Sequence, residues 1–461
     1  MNDYPTAQPS LISEASPVQF PGPHPAQADV VVIGGGVAGV STAYYLAKRG
    51  VRVVLCEKGR VAAEQSSRNW GWVRQQGRDW AELPIMMEAN RLWQGLAAAT
   101  GETDLSFSQS GCLYLADSPA AMTKYEGWYD TAKQAQLDTV LLTAADIRAR
   151  YPDIAGPVGG GEWAGGMITP SDGRAEPFVA VPALARAADR AGAIIVENCA
   201  VRTLDVAGGR VAGVVTEHGR IATDRVVLAG GAWSTHFAGN AGIDLPQLAV
   251  RSTVMRTASA PDGGYDGPNV SSPGLALRRR ADGGYSVTSA DLAEHFLSPK
   301  SFKYFRKYLK LMKLSAKDVR IKPMAPKGYP GAWGAPRRWS AEEKSPFEAM
   351  RVLNPPPSPT VVARVQERLG QRFPGLKDLD VVEAWAGMID VTPDAVPVLG
   401  EDHRMPGLFT ATGLSGHGFG IGPAIGRLTA DIVQGQTPGH DLTRFRSNRF
   451  FDGSDLEPGP Y

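Results

Sequence analysis

Asp29-Val30-Val31-Val32-Ile33-Gly34-Gly35-Gly36-Val37-Ala38-Gly39 decides the fold. Four apolar residues read as a buried strand and run straight into Gly34-x-Gly36-x-x-Gly39; small or apolar Ala43 and Leu46 follow at helical spacing. Gly50 stops the helix, Val51–Leu55 reads as a second strand, and Glu57 closes it. In this order the glycines have separate uses. Gly34 permits a tight turn, Gly36 lets backbone approach a pyrophosphate, and Gly39 lets helix and strand pack closely. The helix N-terminus then faces the phosphates, and Glu57 stands where a carboxylate accepts ribose hydroxyls. The competing reading is a glycine-rich turn without a ligand.

With 461 residues the chain exceeds the usual capacity of one core, so two packed domains are expected. A net charge of +1, with 21% charged and 43% hydrophobic residues, gives no general basic surface for nucleic acid. Cys56, Cys112 and Cys199 are far apart, form no metal-ligand spacing, and fit reduced thiols in a cytoplasm. Before Lys48 there is no Lys or Arg, so no secretory leader is expected. No apolar run reaches the roughly 18 residues that a membrane span needs.

Residues 1–27 read as an extended arm. Beyond the second strand, Glu64-Gln-Ser-Ser-Arg68-Asn-Trp70-Gly-Trp72-Val-Arg74-Gln-Gln-Gly-Arg78 crowds hydroxyls, indoles and arginines together. A solvated loop has no use for Trp70 and Trp72, and a core would not take Arg68, Arg74 and Arg78 unpaired, so the stretch reads as a site. Helices are expected over 82–100, 120–136, 179–191 and 358–372, with a capping pattern at Thr143–Asp146. Ala200–Arg202 and Gly213–Thr216 read as a meander. Arg225–Gly231 reads as a strand returning to the first sheet, and Trp233 beyond it either caps a helix or walls a ligand.

Between 245 and 385, strand-like segments suggest a largely antiparallel sheet. Lys300–Lys322 holds nine basic residues against Asp318, while Phe302, Phe305, Leu309 and Met312 recur at helical spacing. A helix at 299–314 is expected to put that apolar stripe on the core; the alternative is a basic amphipathic helix lying on a membrane surface. The chain ends with a second glycine-rich stretch, Gly413-Leu-Ser-Gly416-His417-Gly418-Phe419-Gly420-Ile421-Gly-Pro423. It is expected to open a helix running to Val433, with Pro423 in its first turn.

Taken together, the N-terminal fingerprint, Glu64–Ser67, Val227-Leu-Ala-Gly-Gly-Ala-Trp233, Thr392-Pro-Asp394 and Ser415-Gly-His-Gly-Phe419 resemble the D-amino-acid oxidase/glycine oxidase/sarcosine oxidase superfamily of FAD-dependent oxidoreductases. Within it the pattern is most similar to bacterial L-amino acid deaminases, through Cys199–Arg202, Gly239–Pro246, Ala281–Tyr285, Lys344–Glu348 and Trp385. The resemblance implies a Rossmann-like FAD-binding domain of the glutathione-reductase type, an α/β unit discontinuous over 28–100, 158–244 and 385–440. An antiparallel-sheet, α+β substrate domain would take 101–157 and 245–384, leaving 441–461 as a tail.

FAD contacts are then expected from Gly34, Gly36, Val37, Ala38, Gly39, Glu57, Lys58 and backbone at Val201. Further contacts fall to Ser66, Ser67, Arg68, Asn69, Trp70, Gly71, Ala229, Gly230, Trp233 and Gly387. Gly416, His417, Gly418, Phe419, Gly420 and Ile421 would face the flavin N1–C2=O edge. Sarcosine-oxidase-like relatives bond the flavin to a cysteine at the position of Gly387, so non-covalent FAD is expected.

The implied reaction is oxidation of the C–N bond of an amino acid or amine by hydride transfer to the flavin, with dioxygen or a quinone as acceptor. Arg74, Arg78 and then Arg278 are candidates for a substrate carboxylate, each equally readable as a structural ion pair; Trp72 and Trp385 are candidate walls. Three features depart from the deaminases: no hydrophobic anchor precedes the fingerprint, Tyr285-x-Val287 leads to Ser289-Ala290 without an arginine, and Asn69–Arg74 replaces a small polar segment. The alternatives are a 2-hydroxy-acid dehydrogenase with His295, His403 or His417 as base, and a flavin-bearing electron-relay subunit. The expected location is the cytoplasm, at the inner membrane if residues 299–322 meet lipid.

Overall fold

The computed structural model describes residues 11–260 and 264–459. The first ten residues of the N-terminal arm and the last two of the tail lie outside them. The rest of the arm is pinned down: Phe20 is buried, Gln19 and Phe20 donate their N–H groups to Glu197, and Pro21 and Gln27 bridge to Val196 and Ala222.

Val30–Ile33 is the centre of a six-stranded sheet whose order is Val398–Glu401, Leu408–Thr412, Val226–Leu228, Val30–Ile33, Val53–Cys56, Ile194–Val196. All neighbours are parallel except the Val398–Glu401 edge. Parallel central strands covered on both faces must be apolar throughout, as this Val-rich set is. The expected meander is present as Val201–Ala207, Arg210–Thr216 and Gly219–Ala222.

Helix Val37–Lys48 lies between helices Pro177–Arg190 and Gly418–Val433. Its contact with the latter is backbone-close. A Cβ added at Gly422 or Gly426 would collide with Val37 or Ser41, so these glycines serve packing. Pro423 is the sixth residue of Gly418–Val433, inside the helix and not in its first turn as expected. Lacking an N–H, it leaves the Phe419 carbonyl without the usual helical donor.

The second layer is a ten-stranded, largely antiparallel sheet built around the long pairing of Leu248–Thr257 with Val381–Val391. Helix Pro359–Arg372 covers it with Val361, Val362, Val365 and Leu369. Gly165–Thr169 and Val381–Val391 belong to this sheet, across the boundaries expected at 158 and 385.

The basic segment corrects the sequence reading. The expected helix breaks into Pro299–Lys303, a 3-10 turn Phe305–Tyr308, and Leu309–Leu314. Its inward side chains are Tyr304 and Tyr308, while Phe302, Phe305, Leu309 and Met312 are 62%, 50%, 39% and 39% exposed. Tyr308 wins the interior because its hydroxyl donates to the Val391 carbonyl at 2.6 Å and accepts from the Leu248 N–H at 3.0 Å. Phenylalanine has no such handle.

The tail crosses back over the first sheet, where Arg449 grips Asp394 through Nε–Oδ2 at 2.8 Å and Nη2–Oδ1 at 3.0 Å, with both side chains at most 2% exposed. Replacing Asp394 with Asn strands a buried guanidinium. Urea unfolding should show a loss of about 3–5 kcal/mol; a loss within about 0.5 kcal/mol, the range of ordinary surface substitutions, would contradict this role.

Candidate active site

The glycine turn leaves a concavity beside Ser66. Gly34 adopts φ +108°, with the Ala229 carbonyl 2.5 Å from where a Cβ would sit, and a Cβ on Gly39 would overlap the Gly34 carbonyl. Gly36 differs. Its Cβ would meet only Ser66 Oγ, at 3.0 Å, so the space before the helix N-terminus is open. The Val37 N–H donates to Ser66 Oγ at 2.9 Å, and the short helix Gln65–Arg68 carries that serine. Glu57 is anchored by the Gly35 and Gly59 N–H groups at 2.7 and 2.8 Å. Burial raises its carboxyl above the ordinary range against the pull of Lys58.

These groups open onto one cleft, with an empty volume of about 1190 Å³ counted out into open solvent. Ile33, Cys56, Leu228 and Thr412 line it, which places it outside the carboxyl ends of the parallel strands. Of the residues expected to hold a cofactor, Gly34, Gly36, Val37, Ala38, Glu57, Lys58, Ser66, Asn69, Val201, Ala229, Gly230, Trp233, Gly416, Gly418 and Phe419 line it. Trp233 lines the cleft, stands directly before Ser234–Asn240 without a side-chain capping bond, and donates Nε1–H to Glu64.

The cleft therefore brings both glycine-rich stretches to one ligand. Helix Gly418–Val433 has no side-chain cap at its N-terminus. Asp390 braces the turn before it, accepting from the Gly413 N–H at 2.8 Å, the Leu414 N–H at 3.3 Å and Gln247 Nε2 at 3.0 Å, while burial pushes its carboxyl to about 6. Asp390 and Phe347 line the cleft too. Sequence reading passed over both as site residues, although each sits in a quoted stretch, beside Thr392–Asp394 and within Lys344–Glu348. An open notch between Gly36 and Ser66, the Glu57 carboxylate in the cleft wall and two helix N-termini fit FAD.

Other expected contacts lie outside the cleft lining. Gly39 and Ile421 are packing positions, Ser67 Oγ contacts the Glu64 carbonyl, and Gly420 gives its carbonyl to Trp93. Arg68 bonds backbone and Asn354 through two of its nitrogens, Nε to the Ala63 carbonyl and Nη1 to Asn354 Oδ1 and the Ala386 carbonyl, while its buried Nη2 has no hydrogen bond among the described residues. Its own carbonyl takes the Trp385 Nε1–H at 3.0 Å. Gly387 makes room for the Gln65 amide, whose Oε1 occupies the place a Cβ would take.

Arg278 is not available to a substrate carboxylate. It is 1% exposed, binds Glu176 through two hydrogen bonds of 2.7 and 2.8 Å, and gives Nε–H to the Trp70 carbonyl. Against the cost of burial, Arg278 holds the Glu176 carboxyl down to about 2. Gly71 is glycine because a Cβ there would lie 2.6 Å from Arg278 Nε.

Trp70 and Trp72 meet edge to face at 5.6 Å, in a cluster with Tyr114 and Ala290. Arg74 lies over the Tyr114 ring, 5.6 Å from its centre, and bonds the Gln76 carbonyl; buried Arg78 bonds the Arg74 carbonyl at 3.1 Å. His417 sits at the N-terminus of Gly418–Val433 with its Nδ1 3.2 Å from Glu82 Oε2, turned away from the cleft lining.

Residues 29–432 match the family model described as DAO, FAD dependent oxidoreductase. L-amino acid deaminase from Proteus myxofaciens, solved in complex with anthranilate, superposes with a TM-score of 0.85 at 31% identity, covering 94% of this chain and 97% of that one. Glycine oxidase from Geobacillus kaustophilus is 25% identical over 433 residues, 91% of this chain and 97% of that protein. Mouse mitochondrial sarcosine dehydrogenase is 26% identical over 440 residues, 93% of this chain, and the chain spans only 42% of that relative's length. By fold, by cleft and by this match over nearly its whole length, the chain belongs to the DAO family of FAD-dependent oxidoreductases.

Proposed function

We propose that the protein oxidises the C–N bond of an amino acid or related amine. The observation that carries this is the meeting of two helix N-termini, Val37 and Gly418, on one cleft in a chain whose relatives are amino acid and amine oxidoreductases. FAD, when bound, supplies the acceptor for a hydride from the nitrogen-bearing carbon, leaving an imine that water hydrolyses to a keto acid or aldehyde plus ammonia or amine. The chain's own residues bind and orient. Gly34–Ala38 and Ser66 would hold the phosphates, Glu57 would take ribose hydroxyls, and the positive end of helix Gly418–Val433 would favour negative charge. Trp70, Trp72 and Trp385 pack behind the cleft lining, and Arg74 with Arg78, also outside that lining, is the remaining guanidinium pair for a carboxylate.

Oxidation of a 2-hydroxy acid would need a base at the hydroxyl. Among the described residues none of His295, His403 and His417 lines the cleft: His295 is held between the Ala249 carbonyl and Ser301 Oγ, and His403 is exposed. This favours the amine reading over the hydroxy-acid reading.

Anaerobic mixing should bleach the flavin with amino acids or N-substituted amines and not with 2-hydroxy acids. Arg74→Ala should raise the amino acid concentration for half-bleaching by about 10- to 100-fold, the loss of one charge-assisted contact of roughly 1.5–3 kcal/mol. A flavin bleached only by hydroxy acids, or by nothing, would remove the amine assignment. Non-covalent attachment is the second part of the proposal, since Gly387 offers no sulfur and Cys56 in the cleft wall is a buried thiol pushed well above its usual range by Cys199 and burial. Acid precipitation should leave the yellow colour in the supernatant; a coloured pellet would contradict it.

The exposed face of residues 302–324 is proposed to rest on an anionic lipid surface, with a lipid-dissolved quinone as acceptor. Phe302, Phe305, Leu309, Met312, Leu314, Ile321 and Met324 stand outward among lysines and arginines, and each basic residue near such a surface contributes about 1 kcal/mol. Among the described residues no helix is long and apolar enough to cross a membrane. The protein should sediment with phosphatidylglycerol vesicles and not with phosphatidylcholine vesicles, and Phe302→Ser with Phe305→Ser should weaken this at least about tenfold, roughly 1.4 kcal/mol. Equal sedimentation of the double variant would sink the lipid reading.

A further inference from the structure

We infer that Glu82 and His417 form a buried proton-accepting pair, placed behind the cleft so that Glu82 takes up a proton when the cofactor is reduced. This rests on the FAD reading but on no choice of substrate. Glu82 immediately precedes helix Leu83–Thr100, is wholly buried, and sets Oε2 3.2 Å from His417 Nδ1. Its Oε1 has no hydrogen bond among the described residues.

His417 in turn lies between Gly416 and Gly418, both of which line the cleft, and begins the helix whose N-terminus faces it. Charge gained in the cleft is therefore felt by the Glu82 carboxylate through a few atoms of low-dielectric protein. The surrounding charges are fixed. Arg444 is paired with Asp79, Asp394 with Arg449, Arg74 leans on the Gln76 carbonyl, and Arg78 on the Arg74 carbonyl.

Burial pushes the Glu82 carboxyl up to about 7 against Arg78 and Arg74. Burial and the same arginines hold His417 well below its ordinary range, so the imidazole is neutral and the carboxyl is the titrating member. Two electrons and one proton on the cofactor leave one negative charge in the cleft. A like charge nearby disfavours the carboxylate, so a second proton, drawn from solvent, binds Glu82. The sum is two electrons and two protons, one of them stored on the protein.

The sign follows from this order. Below about pH 6, Glu82 is protonated before and after reduction and adds nothing; from about pH 7 to 8 it is ionised before and protonated after. Holoenzyme reduced electrochemically, without substrate, in weak buffer with a pH indicator should take up as much as one extra proton per two electrons in that upper window. Glu82→Gln should abolish the increment and flatten the pH dependence of the midpoint potential there.

Redox-difference infrared spectra of the wild-type holoenzyme give the same answer if that variant does not retain flavin. A protonated-carboxyl band should grow on reduction at about pH 8 and shift in His417→Gln. An increment surviving in Glu82→Gln, or a wild-type difference spectrum with no such band, would falsify the pair's role. Loss of the flavin spectrum from the wild-type protein would instead indict the FAD reading itself.

Discussion

The structure depends on one close approach, that of helix Val37–Lys48 to helix Gly418–Val433 across Gly422 and Gly426. Two helices from opposite ends of the chain lie near enough that side chains larger than hydrogen would part them. Their N-termini consequently open on the same cleft. Each supplies unsatisfied backbone N–H groups and a partial positive charge. With FAD bound as proposed, one such end would face its diphosphate, a permanent anion, and the other would face the ring, where charge comes and goes with reduction. Sequence separation of nearly the full chain is the cost of putting both at a single ligand.

Around that pairing the protein neutralises its buried charges in short local clamps. Arg449 holds Asp394, Arg278 holds Glu176, Arg444 holds Asp79, and Asp390 is satisfied by backbone and by Gln247. Each removes a charge that would otherwise compete for the cofactor's field, since an unpaired buried ion costs several kcal/mol. Glu82 departs from this pattern. Its partner is a neutral imidazole, its Oε1 has no hydrogen bond among the described residues, and burial raises its carboxyl as it does that of Asp390.

The first sheet and its glycine turn were legible because local rules and global structure agree there: a continuous Val-rich strand, glycines with distinct steric tasks, and an acid at the end of the next strand. Reading Gly413–Ile421 as a second helix opening was sound for the same reason. Site membership within those stretches was less legible. Gly39 packs as its place in the motif implies, but Gly420 and Ile421 also belong to packing, and nothing in spacing distinguishes Gly420 from Gly416 and Gly418, which line the cleft. Arg68 and Arg278 look alike in sequence to any ligand-binding arginine; their partners, Ala386 and Glu176, are remote in the chain and become visible only when folded. Asp390 was overlooked because a strand acid between Ile389 and Val391 has no local signature, its donors coming from Gly413, Leu414 and Gln247.

The basic segment shows why periodicity alone misleads. Phe302, Phe305, Leu309 and Met312 keep helical spacing, and a single helix would have offered them to the core. The alternative face carries Tyr304 and Tyr308, each with a hydroxyl that finds a half-buried partner: Asp244 for the first, Val391 and Leu248 for the second. Lys300 adds two bonds to Thr235, deep enough that burial lowers its ammonium to about 7. Those polar contacts outweigh the transfer of the phenylalanines and turn the backbone through a 3-10 step at Phe305–Tyr308. An apolar row left in water over so many residues is costly for an isolated domain, at about 25 cal/mol per Å². On the proposed lipid reading, this row with lysines around it would meet a partner that is apolar within and anionic at its face.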